Sequence, residues 1–349
     1  MDLDLRKQQI LNAVVQDYVL TAEPVGSQIL VERYALGVKS ATVRNELAEL
    51  SERGFLRQPH TSAGRVPSDR GYRFYVNRLM PLLPFQHLAV QQVQNALLSA
   101  ESELDTILRK TCQLLSQLTN LPAVATSPEA PDDTQLRQIF LSPAATDKAL
   151  LVLLLSTGRT EHRLLPDATL SATAALELAN SLNATYSEKP LTELRRIQSS
   201  TEVPPPELRA YTPLWQRLVR ELVQSIQGIA ENVPVYVEGT QSVLAQPEFR
   251  DVDRLSQFFR VLQERAAVLE LLRMEAVEQE FAIRIGEELG RPELNAFAVV
   301  SSPYFVGMHE RGSIGVIGPT RMDYGTAVTS VRFLAHTLSE LLTRHAIAA

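Results

Sequence analysis

Three polar side chains with different hydrogen-bonding capacities lie within four positions of the chain: Thr42, Arg44 and Asn45. An asparagine amide can pair with an adenine edge, and an arginine can bond guanine or phosphate. A threonine can donate to phosphate or touch a thymine methyl group. On a helix, these residues lie on or beside one face, opposite Val43 and Leu47. The pattern is typical of a helix that reads a DNA major groove, although an amphipathic helix with a solvated polar face carries similar residues.

A loop with hydroxyl groups and an arginine follows this helix. It runs from Gln58 to Pro67, and its prolines and glycine predict a turn-rich segment. Such a loop suits contacts to phosphates or to the minor groove. A turn or active-site loop that binds no nucleic acid is the alternative. The candidate DNA-binding residues are Ser40, Thr42, Arg44, Asn45, His60, Thr61, Ser62, Arg65, Arg70 and Arg73.

Helices must position this loop and this polar face. Apolar spacing and capping residues predict helices over Leu5–Val19, Val25–Ala35, 40–53 and 69–79. Ser40 and Ser68 are expected to be N-caps, and Gly54 is expected to close the third helix in the left-handed conformation. Three helices followed by a short strand and a loop predict a winged helix-turn-helix.

The charge distribution supports a nucleic-acid partner for this module only. The whole chain carries a net charge of −6. Residues 1–80 hold 11 Lys and Arg against 9 Asp and Glu, whereas residues 81–349 hold 23 against 31. A small basic region on an acidic body is typical of a DNA-binding module attached to a sensor or dimerisation body.

The remaining chain alternates between strand and helix signals. A long helix is expected over 85–120, a turn region over 121–131 and a helix over 252–274. Predicted strands occur on both sides of a largely helical middle, near 136–165 and 281–317. This order indicates a multidomain α+β protein in which an inserted helical segment interrupts an α+β domain.

The sequence contains no recognisable catalytic, metal or cofactor site. Cys112 is the single cysteine and lies in an apolar pattern, and the histidines are scattered. Glu287 and Glu288 are adjacent on an extended segment, which predicts a solvated turn rather than an acid–base pair. Glycines near residue 315 lack the dinucleotide-binding spacing and predict a closely packed strand. A possible small-molecule pocket would involve Arg321, Asp323 and Tyr324.

The N-terminal segment lacks an apolar signal region, so no signal peptide is expected. The longest apolar run, Ala149–Leu155, is much shorter than the roughly 20 residues that a membrane-spanning helix needs. We therefore expect a cytoplasmic protein that has no membrane partner.

Five segments resemble the HrcA family of heat-inducible transcription repressors. Three lie in the predicted winged helix: PVGSQIL at 24–30, SATVRNELAEL at 40–50 and PHTSAGRVPSDRGYRFYVNRLM at 59–80. Two lie near the C-terminus: IRIGEE at 283–288 and GSIGVIGPTRMDYG at 312–325. The chain departs from the family pattern at Leu289, at Ser68 and in QPEF, and its middle matches weakly.

The resemblance implies a winged helix followed by a GAF-like domain with an inserted dimerising segment. It further implies a homodimer that binds an inverted-repeat operator upstream of chaperonin and Hsp70-type chaperone operons. The resemblance also implies that heat lifts repression and that the chaperonin is a partner that promotes the active repressor. The expected divisions are 1–84 for the winged helix, 85–165 and 251–349 for the GAF-like domain, and 166–250 for the insert.

Two other functions fit parts of the sequence. A winged-helix regulator could bind a metabolite in its GAF-like body, and ligand-dependent thermal stabilisation would distinguish it. An enzyme built on that body is a second alternative, but the sequence offers it no nucleophile–base pair, metal cluster or phosphate loop.

Overall fold

The computed structural model describes residues 3–61, 63–81, 104–128, 134–156, 160–166, 170–231, 233–272, 280–307 and 310–348. Ser62 and most of the helix expected over 85–120 lie outside these ranges. The chain divides into two compact units, Met1–Ser127 with Val235–Gly307 and Gly312–Ala349, and Pro128–Pro234 with Met308–Arg311. Among the described helices, none combines the length and the apolar character that crossing a membrane requires.

The first unit begins with the predicted winged helix-turn-helix. Its elements are α1 (Leu5–Thr21), α2 (Ser27–Arg33), α3 (Ser40–Glu52), β1 (Leu56–Arg57), β2 (Val66–Pro67) and α4 (Asp69–Phe74), which continues as a π-helical turn over Tyr75–Leu79. The antiparallel β1–β2 pair joins Leu56 to Pro67.

Two of the three predicted helix ends are confirmed. The Ser68 hydroxyl accepts a hydrogen bond from the amide of Gly71 and caps α4. Gly54 has φ +78° and closes α3, with the Phe55 amide bonded to the Leu50 carbonyl. The prediction of Ser40 as an N-cap is wrong. Lys39 occupies that position, and the Ser40 hydroxyl instead lies 3.0 Å from the hydroxyl of Ser27 in α2.

A five-stranded sheet forms the GAF-like domain of this unit. Its strands are β3 (Ala123–Thr126), β7 (Val235–Glu238), β8 (Ala282–Ile285), β9 (Phe297–Val306) and β10 (Glu310–Pro319), in the order β7-β3-β10-β9-β8. The predicted turn region over 121–131 therefore contains an internal strand of the sheet. Val124 of β3 is fully buried, and the strand bonds both β7 and β10.

Helices cover both faces of this sheet. They are α5 (Leu104–Thr119), α9 (Val252–Gln263), α10 (Arg265–Leu272) and α11 (Tyr324–Ala348), with 3-10 turns over Thr240–Ala245, Pro247–Arg250, Gly286–Leu289 and Pro292–Leu294. The single helix predicted over 252–274 is wrong, because Glu264 adopts an extended conformation and separates α9 from α10. Phe249, Phe258 and Phe297 pack together beneath these helices.

The second unit has its own sheet and its own core. The three-stranded sheet runs β4 (Leu136–Ala145), β5 (Lys148–Leu155) and β6 (Thr160–Leu165), accompanied by α6 (Ala172–Tyr186), α7 (Leu191–Leu194), a 3-10 turn over Pro206–Tyr211 and α8 (Thr212–Glu231). The chain leaves the GAF-like sheet after β3 and returns in its hydrogen-bonded neighbour β7, so this unit is an insertion.

The observed insert differs from the segment expected over 166–250. It includes β4, β5 and β6, which the sequence-based division places in the GAF-like domain, and it ends before β7. The reason is packing. Leu151 and Leu153 of β5 share a core with Leu178 of α6 and Trp215 of α8, not with the five-stranded sheet.

Candidate nucleic-acid interface

The outward face of α3 presents the polar side chains that the helical spacing predicts. Arg44 and Asn45 are exposed, and Thr42 is half-buried beside them. Val43 and Leu50 are fully buried on the opposite face. This helix therefore has a fixed inner side and an accessible outer side that can approach a groove.

Two acidic residues of α3, Glu46 and Glu49, pair with a cationic side chain of α1. Lys7 of α1 lies 3.1 Å from Glu46 and 3.2 Å from Glu49, and its ammonium also bonds Asp4. Hydrogen bonds to Asp4, Glu46 and Glu49 raise the pKa of Lys7. Arg6 lies 3.7 Å from Glu46 as well. These pairs compensate carboxylates that would otherwise repel DNA, and the sequence analysis did not identify them.

The loop between β1 and β2 is ordered by a side chain that sequence reasoning missed. The amide nitrogen of Gln58 donates to the carbonyls of Thr61 and Ala63, both at 2.9 Å. His60 and Thr61 are exposed on this loop. Gln58 therefore shapes the loop and leaves those two side chains accessible, whereas nothing in the sequence distinguished its amide from an ordinary surface group.

Gly64 allows the loop to lie directly against the α1–α2 connection. Arg65 and Val25 exchange backbone hydrogen bonds of 2.8 and 2.9 Å. A Cβ atom on Gly64 would lie 2.5 Å from the carbonyl carbon and oxygen of Val25. No real Cβ approaches a backbone so closely, so a larger residue must push the loop away.

Gly64→Ala is therefore expected to destabilise the winged helix by about 1–3 kcal/mol, as overpacking does elsewhere. Gly26→Ala is the matched control, because a Cβ there meets nothing within 4 Å. Chemical denaturation of both variants measures the difference. Equal stability of the two variants would contradict the close contact between Gly64 and Val25.

The remaining predicted arginines have different surroundings. The Arg65 Nε donates to the Ser51 hydroxyl at 2.9 Å, which ties the loop to α3. Arg70 is exposed, with its guanidinium 4.6 Å from the centre of the Phe55 ring. Arg73 pairs with Glu288 of the GAF-like domain. The structure thus brings Arg65 and Arg70 to the winged-helix surface but places Arg73 at an interdomain contact.

The three residues suggested as a small-molecule pocket make contacts within the protein. Arg321 is buried and donates to Glu248, Gln246 and the Val19 carbonyl. Asp323 caps α11 by accepting from the amide and hydroxyl of Thr326. Tyr324 is buried, which raises the pKa of its phenol well above the usual value, and its ring lies 5.8 Å from Tyr72. All three side chains are therefore engaged in contacts within the protein.

Within the described ranges, no group of three or more His, Cys, Asp or Glu residues could hold a metal ion. Cys112 is fully buried in α5, and this burial raises the pKa of its thiol. A buried, protonated thiol is a poor nucleophile. Its environment fits a core residue.

Known proteins similar to this chain cover almost its whole length. The family model of the HrcA protein C-terminal domain matches residues 105–328. The heat-inducible transcription repressor HrcA of Moorella thermoacetica is 38% identical over 348 residues, which is 98% of each chain. Its counterpart from Symbiobacterium thermophilum is 37% identical over 344 residues, covering 97% of this chain and 98% of the relative.

The fold also matches a solved structure. A crystal structure of a hypothetical protein at 2.2 Å resolution superposes with a TM-score of 0.58 at 22% identity. The match covers 99% of this chain and all of the other. At this identity the likeness concerns the fold alone.

Proposed function

We propose a specific role for this chain, which belongs to the HrcA family of heat-inducible transcription repressors: it is a homodimer that binds an inverted-repeat operator of chaperone genes. The target operons are those of the chaperonin and the Hsp70-type chaperones. Heat releases the operator, and the chaperonin promotes the binding-competent state. The second unit, Pro128–Pro234 with Met308–Arg311, serves as the dimerising insert.

The observation that carries this proposal is the accessible pair Arg44 and Asn45 beside an ordered loop. Their side chains suit guanine and adenine edges in the major groove. The loop residues His60, Thr61 and Arg65 suit phosphate or minor-groove contacts. Thr42 and Ser40, at the start of α3, are proposed to contact the sugar-phosphate backbone of DNA, because a helix N-terminus favours phosphate. Arg70 adds positive charge nearby, whereas Arg73 is assigned to the interdomain contact.

An exposed apolar sheet face supports the dimer. Phe140 and Leu164 of the second unit are 46% and 55% exposed. Phe140 pairs across the sheet with half-buried Val152, and Leu164 pairs with half-buried Leu150. Apolar side chains of all three strands thus share one open face, which suits a self-complementary contact with a second copy. Two-fold symmetry of that dimer would match an inverted repeat.

Binding to the chaperonin promoter tests the proposal. The full-length chain is expected to retard a fragment with both half-sites and to release it after a heat step. Adding the chaperonin should raise the active fraction of the repressor. A fragment with scrambled half-sites at the same salt concentration is the control, because non-specific affinity depends on salt. Equal retardation of both fragments, or binding unaffected by heat, would contradict this role.

A further inference from the structure

The winged helix is fastened to the GAF-like domain through a bidentate ion pair. Nε of Arg73, in α4, donates to one carboxylate oxygen of Glu288 at 2.8 Å, and a terminal nitrogen bonds the other oxygen. The same terminal nitrogen donates to the Ile283 carbonyl at 2.6 Å. Glu288 in turn accepts the Ile285 amide at 2.9 Å, which fixes the carboxylate. Such a fork-to-fork pair constrains orientation as well as distance.

The first turn of α4 makes a second contact beside this pair. Asp69 accepts a hydrogen bond from the Glu287 amide at 3.3 Å. A Cβ atom on Gly286 would lie 1.8 Å from the Asp69 carboxylate, and Gly286 has φ +56°. Only glycine combines that backbone conformation with such a close approach. The IGEE segment therefore receives α4 on a 3-10 turn, and its two glutamates remain exposed to solvent as the sequence predicts.

An independent contact holds α1. Arg321 donates to the Val19 carbonyl at 2.9 Å while it pairs with Glu248. Between these polar contacts, the fully buried rings of Tyr72 and Tyr324 pack 5.8 Å apart. Contacts through both α1 and α4 prevent the rotation that a single attachment would permit. The orientation of α3 therefore follows that of the GAF-like domain.

We propose that Arg73 and Asp69 are positioning residues that restrict which half-site spacing the repressor accepts, a proposal that rests on dimeric operator binding. Two recognition helices reach successive major grooves only if their separation matches about one helical turn or a multiple of it. A rigidly held module keeps that separation. A module released from Gly286 and Glu288 tolerates several spacings, because a flexible link lets it search for its half-site.

The test uses full-length chains and three DNA fragments: the natural operator, an operator with about five extra base pairs between its half-sites (about half a helical turn), and a single half-site. Wild type is expected to bind the respaced operator about 100-fold more weakly than the natural one, since the second contact is lost. Arg73→Glu should reduce that discrimination to less than about tenfold and leave half-site affinity unchanged within about twofold.

Two further variants make the result specific. Arg73→Glu combined with Glu288→Arg re-forms the pair and should restore discrimination. Arg332→Glu breaks another Arg–Glu pair, with Glu280 in the same unit, and should leave it unchanged. Half-site affinity shows whether each winged helix remains folded.

Other outcomes would overturn the inference in recognisable ways. If Arg73→Glu distinguishes the natural operator from the respaced one as strongly as wild type does, the contact between Arg73 and Glu288 does not determine which spacing is accepted. Weaker half-site binding by that variant would make Arg73 a DNA contact, and tighter binding at every spacing would mean that the contact holds an inactive state. A wild-type chain that binds neither the operator nor a half-site would instead defeat the proposed function.

Discussion

Leu164→Asp is expected to weaken binding to a two-half-site operator by about 10²–10⁴-fold, because separated monomers lose the effective concentration that dimerisation supplies. Leu164 lies on the open apolar face of the three-stranded sheet and is 55% exposed. In a contact between identical surfaces the substitution is present on both copies, and burying each carboxylate there costs free energy because it loses its hydration. The dimer, and with it the second half-site contact, should be lost.

Leu176→Asp is the matched control for this substitution. It introduces the same charge in the same unit, at a leucine of α6 that is 60% exposed but does not belong to the sheet face. Analytical ultracentrifugation measures the dimer, and fluorescence anisotropy measures the affinity for one and for two half-sites. A Leu164→Asp chain that remains dimeric would exclude this face as the contact. A similar loss in Leu176→Asp would point to general destabilisation.

Arg44→Ala and Asn45→Ala are each expected to weaken operator binding by about 1–3 kcal/mol, with a smaller loss on random DNA. The reason is that a bidentate contact to a base edge carries sequence information, whereas a phosphate contact does not. The two side chains are exposed on α3 and its core residues hold the helix in place, so truncation should not disturb the fold.

A second adjacent pair of asparagine and arginine provides the control for these two substitutions. Asn77 and Arg78 are also adjacent and exposed, in the π-helical turn that follows α4. Asn77→Ala and Arg78→Ala should change the ratio of specific to random binding much less. If Arg44→Ala and Asn45→Ala reduce both affinities equally, their role is electrostatic, and base reading must lie elsewhere.

Local chemistry explains why the winged helix was predictable. The outward position of Asn45 follows from the spacing of Val43, Leu47 and Leu50, since a helix has 3.6 residues per turn. The end of α3 follows from Gly54, because its positive φ suits glycine. In these cases the decisive interactions lie within a few residues of each other.

The sequence analysis missed the internal strand β3 for the opposite reason. Ala123–Thr126 is short and lies next to Pro122, so its local signals indicate a turn. It is a strand because β7 and β10, more than a hundred residues away, bond its two edges. The predicted insert boundaries differ from the observed ones for a similar reason. The pattern of β4–β6 shows that strands form but not which sheet they join.

The exposed polar face of α3, the loop beside it and the family to which the chain belongs could all be predicted from the sequence, because short-range periodicity and specific motifs encode them. The contacts of Arg73, Glu288, Gly286 and Arg321, in contrast, follow from tertiary packing alone. Nothing in the local sequence distinguishes an arginine that meets phosphate from one that pairs with a carboxylate 215 positions away. That choice depends on which surfaces folding brings within hydrogen-bonding distance, and here it brings α4 against the end of β8.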